Sequence, residues 1–469
     1  MKKVSLSTKW IFAIGQLGWS ILAGIISNLL VNFYLPDSTG DGIITFVTSA
    51  TFVGLTVIGI ITACGRVVDA VTDPLIANMS DNCKSPLGKR IPFMRYSAIP
   101  FAAVTVLIFC CPVRGESPVN IVWLAVTMVI FYISMTAYCT PYNALIPVLG
   151  REQKDRMDIS TYIALTYILG TGIAFGGKMI WEAVQAATGL EYYLCARLTL
   201  AVIALIALVC MLLPAFLIKE KDYDDTPPVK ENAFKSLIQT FANKHFRVFV
   251  LSDIIYWIGI TMFNTGFIYY VEVLLKLNNY MVLFIFMTFV TFVCYPIVNL
   301  LSRKAGKKSL LFYGFGLFAV AFLVSAFAGM IPFIPNLIYG FMICVLVGVP
   351  LAVLGVRPQA IVADIAESDC IETGENRDAM FYAARTFAFK LGQSIAMIVF
   401  TSLAVIGQYT ETTAAGETVI RNNGTGYRIS LIIAMVLCIA AMAVISMYNE
   451  ATVMKIINQD HERKGENDD

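Results

Sequence analysis

Apolar runs long enough to cross a lipid bilayer recur along almost the whole chain. They fall at approximately 10–35, 44–73, 94–113, 118–142, 159–181, 196–218, 247–275, 279–302, 309–330, 335–363, 379–406 and 427–449. About 20 consecutive apolar residues in a helix span the ~30 Å hydrocarbon core of a bilayer. The pattern therefore predicts an all-α integral membrane protein with twelve transmembrane helices.

One polar stretch, Lys219 to His245, divides these segments into two sets of six. Its charged residues and paired prolines are typical of a solvated linker. The predicted domains are an N-terminal bundle at 1–218, a linker at 219–246, a C-terminal bundle at 247–449 and a tail at 450–469. Two six-helix bundles around a polar linker are the layout of the twelve-helix major facilitator fold, whose halves are internal repeats.

Positive charge is concentrated in alternate loops. If both termini face the cytoplasm, most Lys and Arg residues, Arg385 among them, fall on the cytoplasmic side. The opposite side then carries Arg114, Lys178, Arg197, Lys276, Arg421 and Arg428. Because loops rich in Lys and Arg stay cytoplasmic, the pattern predicts a multi-pass protein of the cell membrane with both termini and the linker inside.

Composition supports the membrane assignment and excludes several function classes. Apolar residues make up 58% of the chain and charged residues 14%, against roughly 25% charged residues in soluble domains. No basic run is interleaved with aromatic residues, so we expect no nucleic-acid partner. The two histidines lie outside any catalytic constellation and no P-loop is present, so we expect neither an enzyme nor a cofactor. The expected partners are the lipid bilayer and a small solute, and the expected state is a monomer.

The strongest candidate for chemistry lies at the end of the second apolar segment. Asp69 and Asp73 are four residues apart, which places both carboxylates on one helical face, and Thr72 adds a hydroxyl. These oxygens predict a site for Na⁺, with Asp69 and Asp73 as its ligands, or for H⁺ if one carboxylate is protonated. The alternative is that both carboxylates cap the helix end and pair with Arg66 or with lysines of the loop.

The following loop combines a carboxylate, a turn glycine and two adjacent cations. These residues are Asp81, Gly88, Lys89 and Arg90. Charge-assisted hydrogen bonds among such groups can close a gate that opens when two bundles rock. A loop that only sets membrane orientation would explain Lys89 and Arg90 equally well, but not Asp81.

Several short strings, in this order along the chain, resemble the glycoside-pentoside-hexuronide:cation symporter family. They are DAVTDP at 69–74, SD at 80–81, GKRIPF at 88–93, PYNALIP at 141–147, DR at 155–156, ADI at 363–365, TGENR at 373–377 and KLG at 390–392. The likeness spans both halves of the chain. It implies the major facilitator fold and uptake of a sugar-type solute driven by Na⁺ or H⁺.

The resemblance also implies roles for individual residues. Asp69 and Asp73 match the acidic pair that the family uses to couple cation and sugar, and Thr72 and Thr136 match polar cation-site positions. Lys390 matches a lysine that reaches this cluster. Arg66, a cation within the same apolar segment as the acidic pair, is a second coupling candidate. Asp81, Lys89, Arg90 and Arg377 would form the cytoplasmic gate.

The chain departs from the family's melibiose-transporting member at its sugar contacts. Ser20 stands where that protein has an acidic sugar-binding residue, Cys139 where it has an aspartate, and Ala164 where it has an arginine. Its aromatic sugar platforms align with Asn143 and Gly355. The comparison therefore implies a shared coupling site with a different substrate.

Polar and aromatic residues within the apolar segments are candidate substrate ligands. Sugar sites combine amide or hydroxyl hydrogen bonds with aromatic stacking. The candidates are Trp19, Ser20, Tyr142, Asn143, Tyr256, Trp257, Asn264 and Arg357. For each aromatic residue the alternative is bundle packing or the interfacial belt. Arg357 needs an anion, which could be Asp364, Glu367 or the substrate.

Two other functions fit the same pattern. The missing sugar contacts and Arg357 leave room for an amphiphilic anion or a lysophospholipid as the transported solute. A membrane sensor without transport activity, or a membrane-embedded enzyme, is the alternative from another class.

Overall fold

The computed structural model describes residues 4–36, 43–48, 51–52, 55–150, 153–223, 240–302, 306–374, 378–412 and 418–468. Most of them are helical. The α-helices are α1 (Leu6–Tyr34), α2 (Val57–Asp81), α3 (Ile91–Ile108), α4 (Pro118–Ala144), α5 (Ile146–Leu149), α6 (Gln153–Thr188), α7 (Tyr192–Leu217), α8 (Lys244–Tyr269), α9 (Tyr280–Ser302), α10 (Lys307–Ala326), α11 (Asn336–Thr373), α12 (Asp378–Ala404), α13 (Thr425–Ser446) and α14 (Glu450–Asp468).

Two small hairpins and two short helical turns complete the described elements. Strands β1 (Thr51–Phe52) and β2 (Leu55–Thr56) pair antiparallel, as do β3 (Gln408–Thr412) and β4 (Thr418–Asn422). A 3₁₀ turn covers Glu220–Asp222, and a π-helical turn, Tyr270–Leu274, continues α8.

The prediction of an all-α membrane fold is confirmed. The helices α1–α4 and α6–α13 each coincide with one predicted apolar segment. Within the described residues, eleven helices are long and apolar enough to cross a membrane. Two other long helices are outside this set: α2 carries Arg66, Asp69 and Asp73 among its apolar residues, and α14 is predominantly polar.

The prediction for the second segment was wrong at its start. The apolar run begins at 44, but α2 begins at Val57, because Thr51–Phe52 and Leu55–Thr56 pair as the strands of the β1–β2 hairpin. Thr56 ends the hairpin and caps the helix, since its hydroxyl accepts a hydrogen bond from the Gly59 N–H at 3.3 Å. A side-chain cap of this kind satisfies a helix N–H that has no partner within the helix.

The chain divides into two compact units. The first comprises residues 1–229 together with 408–422, and the second comprises 230–407 and 423–469. Helices α1–α7 therefore belong to the first unit and α8–α14 to the second, and each unit holds six of the twelve helices that coincide with a predicted apolar segment.

In the first unit, both ends of α3 are held by charged residues near the two ends of α7. Glu220, which follows α7, accepts hydrogen bonds from the backbone N–H groups of Arg90 and Ile91 at 2.8 and 3.1 Å. Arg197, near the start of α7, donates to the Phe109 carbonyl at 3.2 Å. The acid thus lies at the positive end of the helix dipole and the base at the negative end, which stabilises α3.

The second unit repeats this arrangement around α10. Glu450, which follows α13, accepts hydrogen bonds from the backbone N–H groups of Lys307 and Lys308 at 2.8 and 3.1 Å. Arg428, near the start of α13, donates to the Ala326 carbonyl. The same device at equivalent helices is what two repeated six-helix bundles predict.

Candidate functional site

Three residues of α2 face three residues of α4 in register, and with Thr72 they make up what we call the α2–α4 site. The facing pairs are Arg66 with Tyr132, Asp69 with Thr136, and Asp73 with Thr140. The α2 residues are spaced three and four apart and the α4 residues four apart, so each set occupies one helical face. Because the residue numbers rise together on both helices, α2 and α4 run parallel here.

Asp69 is the most buried carboxylate of the site. Its side chain is fully inaccessible, and the Thr136 hydroxyl, 1% exposed, donates to its Oδ1 at 2.6 Å. The Thr72 hydroxyl lies 3.3 Å from the Thr136 hydroxyl and donates to the Val68 carbonyl at 2.8 Å. Carboxylate and hydroxyl oxygens are therefore concentrated at one level of the α2–α4 interface.

Asp73 lies one helical turn further along α2 and is half-buried. The Thr140 hydroxyl donates to its Oδ1 at 2.9 Å. The four-residue spacing predicted that both carboxylates share one helical face, and the structure shows that this face is turned towards α4. Two orienting hydroxyls hold two carboxylates in an arrangement that suits a hard cation, which prefers oxygen ligands.

Arg66 lies at the other end of the site, over an aromatic ring. Its guanidinium carbon is 5.3 Å from the centroid of Tyr132, which is cation–π distance. A Cβ atom on Gly65 would lie 2.5 Å from two ring carbons of Tyr132. Gly65 therefore allows the Tyr132 ring to pack directly against α2.

Tyr132 and Thr140 were not predicted as members of the site. Their signal is the helical spacing from Thr136, because residues four before and four after it share its face of α4. That spacing becomes informative once Thr136 is assigned to the site.

The predicted gate residues are only partly described. Arg90 has its guanidinium 3.5 Å from Glu220, a buried carboxylate that was not predicted to belong to the gate. Lys89 is half-buried. Asp81 is the last residue of α2, with its side chain outside the described residues, and Arg377 also lies outside them.

The predicted substrate ligands of the first unit differ from one another in burial and contacts. Ser20 is buried, and its hydroxyl donates to a carbonyl of its own helix at 3.0 Å. Tyr142 is buried, donates to the Phe12 carbonyl at 2.7 Å and stacks on the Phe12 ring at 4.2 Å. Trp19 is half-buried and Asn143 is exposed. Their role in substrate binding stays a prediction.

In the second unit, Tyr256 and Trp257 lie in aromatic clusters. Tyr256 is buried, with its ring 5.3 Å from that of Phe315, and Trp257 stacks on Phe389 at 5.1 Å. Asn264, on the same helix, is exposed.

The two predicted basic residues of the second unit differ in how far the structure describes them. Lys390 is half-buried on α12. The side chain of Arg357 lies outside the described residues. Both assignments stay predictions.

A buried ion pair joins α8 to α12 and was not predicted. Arg385 donates from Nε to Asp253 Oδ2 at 2.8 Å and from Nη2 to Oδ1 at 3.2 Å. Counting Arg385 among the positive residues of the cytoplasmic side was misleading, because the structure buries it to 7% exposure.

Comparison with known proteins identifies relatives along nearly the whole chain. The MFS/sugar transport protein family matches residues 12–449. An uncharacterized symporter, YnaJ of Bacillus subtilis, is 23% identical over 403 residues, covering 85% of this chain and 82% of its own. The lactose permease of Lactobacillus helveticus is 22% identical over 471 residues, covering 93% of this chain and 68% of its own.

A third relative is similar over a shorter stretch. The sodium-dependent lysophosphatidylcholine symporter 1 of Xenopus tropicalis is 31% identical over 182 residues, which is 38% of this chain and 32% of that protein.

Solved structures show the same fold. The inward-open xylose transporter XylE of E. coli superposes with a TM-score of 0.63 at 14% identity, covering 94% of this chain and 95% of its own. The nucleoside transporter NupG also gives a TM-score of 0.63 at 14% identity, covering 94% of this chain and 99% of its own. These relatives and structural neighbours are transporters and not enzymes.

Proposed function

Because the chain belongs to the MFS/sugar transport protein family, we propose that it is a secondary active transporter in which Na⁺ or H⁺ drives uptake of a sugar, glycoside, pentoside or hexuronide. The protein is a multi-pass membrane protein of a symporter family. Its proposed orientation places both termini in the cytoplasm, as the distribution of Lys and Arg favours. The proposed functional state is a monomer.

The α2–α4 site is the observation that carries this proposal. Ionisable residues within membrane helices are costly and commonly mark ion or substrate pathways. Asp69 and Asp73 are held by the hydroxyls of Thr136 and Thr140 at 2.6 and 2.9 Å. We assign to Asp69, Asp73, Thr72 and Thr136 the binding of the coupling cation.

Coupling requires that the cation and the solute change each other's affinity. A cation bound by Asp69 and Asp73 cancels negative charge that otherwise stays in an apolar bundle. We assign to Arg66 and Lys390 the task of balancing that charge when the cation is absent. Rocking of the two bundles then exposes the loaded sites alternately to each side of the membrane.

The proposed cytoplasmic gate lies at the loop between α2 and α3. Arg90 is anchored there by Glu220, which binds both its guanidinium and its backbone N–H. Charge-assisted contacts of this kind can hold a closed state and release it. Asp81, Lys89 and Arg377 are the other proposed members of the gate.

A lysophospholipid or another amphiphilic anion is the second candidate solute. The lysophosphatidylcholine symporter 1 of Xenopus tropicalis has the highest identity of the three relatives described above, over 182 residues. Ser20, Cys139 and Ala164, in place of the ionisable sugar contacts, are also compatible with such a solute.

Counterflow in proteoliposomes tests the proposal and separates the two candidates. Vesicles preloaded with one solute are challenged with labelled sugars, uronides and lysophospholipids, with and without an inward Na⁺ or H⁺ gradient. We expect uptake above equilibrium for one solute class only when a cation gradient is present, and poor uptake of galactosides. Uptake that is insensitive to both cations, or binding without flux, would contradict cation-coupled transport.

A further inference from the structure

Two contacts join α8 to α12 in the second unit, one between Asp253 and Arg385 and one between Trp257 and Phe389. These four residues, with Gln393 one turn beyond Phe389 on α12, make up what we call the α8–α12 column. The spacing of four residues keeps each set on one helical face. At ~1.5 Å per residue, the three α12 members span ~12 Å along the helix axis, about the length of a small glycoside.

The ion pair at one end of the column is buried and engages both carboxylate oxygens. The side chains of Asp253 and Arg385 are 3% and 8% exposed. Desolvating two charges offsets most of their attraction, so such a pair gives little net stability over apolar residues of similar volume. Stability alone therefore does not account for the pair, and its position within membrane helices favours a role in solute or ion binding.

The middle and far end of the column offer the other contacts that a polar solute uses. Trp257 and Phe389 stack at 5.1 Å with an interplanar angle of 29° and form an aromatic surface one turn beyond the ion pair. One turn further, Gln393 Oε1 is buried and accepts no hydrogen bond from any residue that the structure describes. A buried acceptor without a donor is unfavourable unless a ligand supplies one.

We propose that the α8–α12 column binds an oxyanion that also carries a hydroxyl group. This inference rests on the proposed transport function and names the class of its solute. The oxyanion binds Arg385, an apolar face of the solute lies on Trp257, and the solute hydroxyl donates to Gln393 Oε1. Asp253 is the resident counter-ion: it holds the guanidinium in the geometry that a carboxylate or phosphate requires and is displaced when the solute binds.

Two pairs of probes distinguish the two sources of the oxyanion. Methyl glucuronide and methyl glucoside share a ring and differ by the carboxylate. Lysophosphatidylcholine and monoacylglycerol differ by the phosphocholine group. We expect wild-type protein to bind the charged member of one pair more tightly than its uncharged partner, and equal binding within both pairs would overturn the proposal.

Variants of the ion pair distinguish a role in solute binding from a purely structural role. Arg385→Lys keeps the charge but loses the planar fork, so the preference for the oxyanion should fall about tenfold or more. Asp253→Asn removes the competing anion and should raise affinity for the oxyanion only. Glu450→Gln, which removes a carboxylate charge of the same unit outside the column, is the matched control and should leave the preference unchanged.

The charge-swapped double variant, Asp253→Arg with Arg385→Asp, should behave differently if the ion pair binds solute than if it is only structural. If the pair binds the solute, the double variant should lose the preference for the oxyanion even when its thermal unfolding midpoint returns to the wild-type value. Recovery of both the midpoint and the preference would show that the pair is structural and overturn the proposal.

Gln393→Leu tests the column without touching the ion pair. The substitution removes an acceptor that makes no hydrogen bond within the described protein. The thermal unfolding midpoint should therefore stay unchanged, while the affinity for the oxyanion should fall several-fold. Unchanged oxyanion affinity would contradict the assignment of Gln393.

Failure of this inference is distinguishable from failure of the transport proposal. Cation-dependent uptake confined to uncharged solutes would overturn the inference alone. Absence of cation-dependent uptake for every probe would overturn both.

Discussion

Replacing Thr136 by valine removes one hydroxyl from the α2–α4 site and keeps the size of the side chain. That hydroxyl donates to the fully buried carboxylate of Asp69 at 2.6 Å. A hydrogen bond to a charged group contributes ~1.5–3 kcal/mol, and each ~1.4 kcal/mol changes a dissociation constant tenfold. If Asp69 and Thr136 bind Na⁺, Thr136→Val should weaken Na⁺ affinity ~10- to 100-fold.

Thr127→Val is the matched control for this measurement. Thr127 lies on the same helix at 4% exposure, but its hydroxyl donates at 2.7 Å to the Trp123 carbonyl of its own helix. The assay is a titration of solute binding with Na⁺ at fixed pH, and with H⁺ at fixed Na⁺, for both variants. Equal cation affinities for Thr136→Val and Thr127→Val would refute a cation site at Asp69.

The double variant Thr136→Val with Asp69→Asn tests whether the two residues act together. If the hydroxyl acts through the carboxylate, the double variant should bind the cation no more weakly than Asp69→Asn alone. Additive losses would show that Thr136 and Asp69 act independently.

Two further predictions rest on the described contacts, and a third rests on the distribution of Lys and Arg. Gly65→Ala should lower the thermal unfolding midpoint more than Gly316→Ala. A Cβ atom on Gly65 would lie 2.5 Å from the Tyr132 ring, whereas one on Gly316 would lie 3.3 Å from a flexible methionine methyl. Equal midpoints would contradict the packing of Tyr132 against α2. Glu220→Gln should destabilise by about 0.3–2 kcal/mol, because a carboxylate at the positive end of α3 is lost; calorimetry that finds no change would contradict the capping role. A cysteine introduced at Asn232 should resist an impermeant thiol reagent applied outside intact cells, and efficient labelling would contradict the proposed orientation.

Much of the fold could be predicted from the sequence because the bilayer imposes a simple rule. Each helix that crosses it needs a long apolar run, and helices α1–α4 and α6–α13 coincide with such runs. The rule failed at the start of α2, where the run extends through the β1–β2 hairpin. Apolarity alone does not distinguish a helix from a short hairpin, and the cap at Thr56 sets the boundary.

The carboxylates of the candidate site could be predicted, but their partners could not. The spacing of Asp69 and Asp73 shows that they share a face, since this depends only on helix periodicity. Which helix that face meets, and in what register, depends on tertiary packing. Thr140 and Tyr132 became members of the site when the structure showed that α4 packs against α2 in parallel.

Long-range charge pairs were the least predictable features. Asp253 and Arg385 are 132 residues apart in the chain, and Glu220 is 130 residues from Arg90. Each of these residues also fits an ordinary role at a helix end or in a loop when the sequence is considered alone. Only the arrangement of the helices identifies the partners.

The cation dependence of solute binding shows directly whether Asp69 and Asp73 form the coupling site. Solute affinity would be measured at high and low Na⁺ and across pH 5.5 to 8.5, in wild type, Asp69→Asn, Asp73→Asn and the exposed control Glu411→Gln. If Asp69 and Asp73 bind the coupling cation, wild type and Glu411→Gln should bind the solute more tightly when that cation is abundant. Both Asp→Asn variants should lose this dependence while keeping residual binding. Wild-type cation dependence in both Asp→Asn variants would show that Asp69 and Asp73 are structural and that the coupling site lies elsewhere.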